Sequence, residues 1–141
     1  MAKILPLLAL TLALAACGKP PPRAEPEGQL ARDAMDKAAA AYNDCVVNAA
    51  KAIDIAPLQS GDVQAGTAAD SIIKGCVAER KALIAKVYDV RRIGHPSDPT
   101  TVSQSVAEQS VDAIEGELRE RAVTTIVSRQ VDTKPGAKET K

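Results

Sequence analysis

LARDAMDKAAAAYNDCVVNAAKAIDIA, residues 30–56, decides the fold. It holds no proline and no glycine, and alanine dominates it. Ala31, Met35, Ala38, Tyr42, Cys45, Ala49, Ala52 and Ala56 follow one another at steps of four and three. That spacing lays one apolar stripe along an α-helix. Asp33 and Lys37 are placed as an i,i+4 pair worth a few tenths of a kcal/mol. Pro57 disfavours helical geometry at Ala56, so the helix is expected to stop there.

Two further helices follow. Ser60 can cap a second one, with Asp62 in its first turn where the helix dipole favours an acid. Thr67 with Asp70 resembles a second capping box just beyond Gly66. The stripe Ala65, Ala69, Ile72, Cys76, Leu83, Val87 and Val90 carries this helix from about Asp62 to Ile93. Arg91 and Arg92, then Gly94 and Pro96, form a stop signal. After the loop His95–Thr100, Asp98 or Thr101 can start a third helix, from about Thr101 to Gln130. Its stripe is Ala107, Val111, Ile114, Leu118, Ala122 and Ile126, with Glu115–Arg119 and Glu117–Arg121 spaced as i,i+4 ion pairs. Helices of this length span about 40–48 Å. Short loops make neighbours antiparallel. The expectation is an all-α, elongated, antiparallel three-helix up-down-up bundle over residues 30–131, followed by a polar, disordered tail over 132–141.

The start of the chain has another character. A charged opening, Met1-Ala2-Lys3, precedes an apolar run ending in Leu14-Ala15-Ala16-Cys17. The run is too short for the ~20 residues a bilayer requires and fits a signal peptide. An aliphatic residue, two small residues and a cysteine resemble the lipobox of bacterial lipoproteins, a likeness confined to residues 1–17. The resemblance implies cleavage between Ala16 and Cys17. It implies a diacylglyceryl thioether on Cys17 and an acyl chain such as palmitate on its amine, so the membrane is met through that lipid. Gly18 in place of aspartate leans toward the periplasmic face of the outer membrane. Residues 17–29 then form a tether. Four prolines in the stretch 18–28 favour extended polyproline II of up to about 30 Å.

Three cysteines are present, and Cys17 is assigned to lipid. An exported chain meets an oxidising compartment, so Cys45 and Cys76 are expected to pair. The midpoint of 45 and 76 falls between Ser60 and Gly61, in the first loop, so both cysteines lie at one height of a helical hairpin. A loop of this length contributes about 3.7 kcal/mol in the chain-entropy model. Zinc is the rival, but it wants four ligands, and the only histidine, His95, lies roughly 28 Å along the helix from Cys76. Redox-active pairs usually sit as Cys-x-x-Cys. No metal and no cofactor is expected.

Composition narrows function more than it defines it. The 141 residues carry 18 basic and 18 acidic side chains, two tyrosines, and no Phe or Trp. Loss of Lys3 with the leader leaves one net negative charge, which gives no electrostatic case for nucleic acid. A core without large aromatics suits close helices better than a deep pocket. The sequence holds no Gly-rich phosphate loop, Gly-x-Ser-x-Gly or His-Glu-x-x-His. His95 sits in a loop, and Glu115, Glu117 and Glu120 are interleaved with arginines as a solvated face. No catalytic residue is assigned. The expectation is a non-enzymatic, lipid-anchored envelope module that acts on an envelope protein or the cell wall through a helix face. The alternatives are a tether to peptidoglycan through Lys141, as in the major outer-membrane lipoprotein of enteric bacteria, and an envelope enzyme or inhibitor.

Overall fold

A computed structural model describes residues 25–133. Cys17, the cleavage site at Ala16, the segment 18–24 and Lys141 lie outside the described residues. Among these residues there are five helices and no strand: α1 Glu25–Ala52, α2 Ala56–Gln59, α3 Ala65–Gly75, α4 Val77–Gly94 and α5 Thr100–Asp132. The all-helical class is as the periodicity required, and Cys45 and Cys76 are bonded as their spacing about the first loop led one to expect. Helix boundaries differ from the sequence reading at both ends of α1, at the start of α3 and at Cys76.

α1 starts inside the stretch read as a spacer. Pro26 is compatible with this because the first turn of a helix leaves its N–H groups without intrahelical partners. The helix also ends four residues early. Ile53, Ile55 and Leu58 are drawn against the core, and a straight helix could not deliver all three. Asp54 Oδ1 accepts the N–H of Ala56 at 3.0 Å and opens the short α2, with Pro57 in its first turn. Ser60 therefore closes α2, its hydroxyl bonded to the Pro57 carbonyl and to Asp62. The turn passes through Gly61 at φ +86°, a left-handed conformation that glycine reaches without steric cost.

The expected second helix is two helices. It begins at Ala65 behind Gln64, not at Asp62 or Thr67, and breaks at Cys76. Cys76 has φ −93° and ψ 28°, and its N–H is shared by the carbonyls of Ile72 and Ile73. Gly75 precedes the break and lowers the resistance to it. α5 matches its expected span within two residues.

Tyr42, Val46, Ala50, Ala69, Ile72, Cys76, Leu83, Val111, Leu118, Ala122 and Ile126 form the centre of the core. On α1 the deepest line is Tyr42, Val46 and Ala50, while Ala52 and Ala56 are exposed. The reason is that α1 packs against α3 and α4 as well as against α5. Cys45 points to the α3–α4 break, whereas Asn43, Ala50 and Ile53 meet α5. On α5, Ile114 is 36 % exposed. At helical spacing Ile114 and Glu115 flank the line through Ala107, Val111, Leu118 and Ala122 at equal angles on either side, and Glu115 takes the more buried place. Leu83→Ala should therefore cost about 2–5 kcal/mol, while Ile114→Ala should cost about 0.5 kcal/mol or less. Urea unfolding followed by circular dichroism measures both.

Candidate functional site

Four polar side chains from three helices meet beside the core. Tyr42 of α1 is fully buried, and its hydroxyl donates to Glu115 Oε2 of α5 at 3.0 Å. Arg80 of α4 donates through Nε to the same oxygen at 2.7 Å and through Nη2 to Asp112 of α5. Arg80 and Glu115 are each less than one-third exposed, and Asp112 faces water. The helices place these groups by spacing alone. Arg80 is one turn past the break at Cys76, and Asp112 and Glu115 lie three apart on one face of α5.

Burial, and then the bond to Glu115, push the Tyr42 phenol well above the usual tyrosine range, so it remains a donor. Burial opposes the charge on Arg80, but its bonds to Glu115 and Asp112 more than compensate and raise its pKa. The cluster thus holds one cation between two anions, with a neutral phenol donating to the same Glu115 oxygen that Arg80 binds. Its chemistry is that of a lock: the three elements fit at one register only.

Other expected pairs are rearranged. Arg119 turns from Glu115 to Asp70 of α3, Nε to Oδ1 2.5 Å, which holds the Asp70 carboxyl below its ordinary range and lifts Arg119. Arg121 donates to Asn43 rather than Glu117, and Asp33 accepts from Gln29 at 2.7 Å. For Arg119 and Arg121 the cross-helix partners won because they also satisfy groups on a second element. Glu117 and Glu120 are exposed, as the solvated-face reading requires.

His95 follows α4, exposed, its backbone N–H bonded to the Arg91 carbonyl at 2.8 Å. Arg91 and Arg92 are committed to the following loop. Arg91 binds the Asp98 carboxylate at 2.6 Å, and Arg92 binds the Asp98 and Pro96 carbonyls. Two devices had no signal in the periodicity. Arg129 Nη1 binds the Ala50 and Ile53 carbonyls, capping the end of α1 from another helix. Gln130 likewise binds the Leu58 carbonyl at 3.0 Å.

One open groove runs between α4 and α5, and another between α3 and α5. One, of about 450 Å³, is lined by Arg80, Ile84, Tyr88, Asp89, Gln104 and Glu108. The other, of about 440 Å³, lies over Asp70, Ile73, Asp112, Glu115 and Arg119. Among the described residues no helix is long and apolar enough to cross a membrane.

Tyr42→Phe should lower stability by about 1.5 kcal/mol, the low end for a bond to a charged group because Arg80 still serves Glu115. The pH dependence has a defined sign. The folded state holds the phenol proton more tightly than the unfolded chain, so this contribution is complete below about pH 10 and is lost as pH rises through the raised folded value. Alkaline unfolding curves of the two proteins should therefore converge as pH increases.

Comparison with protein-family models, curated proteins and solved structures finds no match to this chain.

Proposed function

We propose that the chain is a lipid-anchored, non-enzymatic envelope protein whose helical body works by contact with an envelope partner. The observation that carries this reading is the division of the three cysteines. Cys17 stands at the lipobox position, and the other two pair, with Cα atoms 6.0 Å apart. A closed cystine suits an exported protein in an oxidising compartment.

The body is best read as a three-helix up-down-up bundle in which α3 and α4 form one arm. The cross-links support this. On α1 and α5 the partners rise together, from Tyr42–Glu115 through Asn43–Arg121 to Ala50–Arg129. Between the α3–α4 arm and α5 they run oppositely, Asp70 with Arg119 and Arg80 with Asp112.

The contact surface is assigned to α5. Of the large apolar side chains left exposed, Val102, Ile114, Val127 and Val131 belong to it. At helical spacing Val102, Val127 and Val131 lie opposite the buried line Ala107–Val111–Leu118–Ala122. A lipid anchor concentrates such a face at one membrane and raises its effective concentration toward neighbours there.

Two variants test the reading. Cys17→Ser should leave the protein uncleaved or move it from the membrane fraction to the soluble fraction. Val127→Asp with Val131→Asp should abolish co-purification of the envelope partner and leave the circular-dichroism melt unchanged. A cleaved Cys17→Ser protein still in the membrane fraction would refute the anchor. Muropeptide attached to Lys141 would replace the binding role with that of a covalent tether.

A further inference from the structure

The break between α3 and α4 assembles a third set of side chains. The Sγ atoms of Cys45 and Cys76 and a carboxylate oxygen of Glu79 all lie within 4.8 Å of one another. While the sulfurs are bonded to each other they carry no thiolate charge, and the thiolate is the form that binds metal. We propose that reductive opening of Cys45–Cys76 creates a site for one soft divalent cation of the zinc class, held by Cys45, Cys76 and Glu79 with water in the fourth position.

The chemistry balances. A dithiol gives two electrons and two protons to the disulfide and is itself closed to a disulfide, leaving two cysteine thiols. The cation then displaces both thiol protons to solvent and is held by two thiolates and one carboxylate. Three protein ligands and a water make a tetrahedral zinc set.

Four features of the fold favour this site. Cys76 and Glu79 are three residues apart, so they share one face of the first turn of α4. Two thiolates on zinc stand roughly 3.8 Å apart, given zinc–sulfur bonds of about 2.3 Å. The backbone can accommodate that opening at Cys76, where the helix is already interrupted. Arg80, the cation nearest in sequence to Glu79, is occupied by Asp112 and Glu115 and leaves the Glu79 carboxylate to the metal. Cys76 is buried, while Cys45 and Glu79 reach the surface in part, which gives reductant and cation a way in.

The test uses the full chain carrying Cys17→Ser, so that Cys45 and Cys76 are its only cysteines, with Co²⁺ as a spectroscopic probe. The protein is reduced with a water-soluble phosphine, which takes up the oxygen of a water whose two protons go to the thiols, and is then desalted without oxygen. Titration should give thiolate-to-cobalt charge-transfer and tetrahedral d–d bands that saturate at one Co²⁺ per chain and vanish on addition of one Zn²⁺. The oxidised protein should give none. Cys45→Ser should remove the charge-transfer band or reduce it to that of a single thiolate. Glu79→Gln should weaken binding by at least the roughly tenfold that even outer-sphere partners cost. A reduced protein that keeps its helical circular dichroism and shows no such band overturns the proposal, as does equal affinity in Glu79→Gln. If the reduced chain loses helix, one equivalent of Zn²⁺ must restore it; binding without regained helix also overturns the proposal.

Discussion

The shortage of large side chains governs this molecule. With no Phe or Trp, and with alanine at Ala50, Ala68, Ala69, Ala107 and Ala122 of the core, each helix contact removes little apolar surface from water. Small residues also let backbones approach closely, so the few bulky groups, Tyr42, Leu83, Ile126, Val46 and Val111, fill the space that remains. Non-directional burial of this kind specifies register weakly, because one alanine slides past another at little cost. Register must come from elsewhere.

It comes from arginines and one covalent bond. Arg80, Arg119, Arg121 and Arg129 each leave their own helix to bind a group on another. The guanidinium is suited to this, with several donors in a rigid fork and a long apolar stem. The exposed pair Arg119–Asp70 adds little to stability by itself. Arg129 differs because it satisfies the last carbonyls of α1, which would otherwise lack intrahelical partners. Cys45–Cys76 acts on the unfolded chain, whose freedom it removes, more than on the folded contacts.

The class of fold was legible because helical periodicity survives in an alanine-rich chain: Ala69, Ile72, Leu83, Val111, Leu118 and Ile126 were identified from spacing and are buried. The disulfide was legible because chain reversal puts residues equidistant from a loop at one height. Other features were hidden for physical reasons. Hydropathy assigns Ile114 to the core and Glu115 to water, yet a carboxylate with a phenol and a guanidinium waiting for it goes inward. Local spacing favours Glu115 with Arg119, whereas the fold offers Arg119 a partner on α3. The early end of α1 depends on the pull of Ile53, Ile55 and Leu58 toward a core that exists only after folding. The polar cluster required the positions of three helices, and no single stretch of sequence contains it.

Joined through their sulfurs 31 positions apart, Cys45 and Cys76 turn the intervening chain into a closed ring. That ring contains the end of α1, all of α2 and α3, and the exposed turn through Ser60, Gly61 and Asp62. A peptide bond cut in that turn would open the ring without dividing the molecule. Everything from the first helix to the last would stay in one covalent piece, and Gln130 of α5 would still grip Leu58 on one side of the cut. The exposed turn at Gly61 is thus a corner at which a protease nick would separate little.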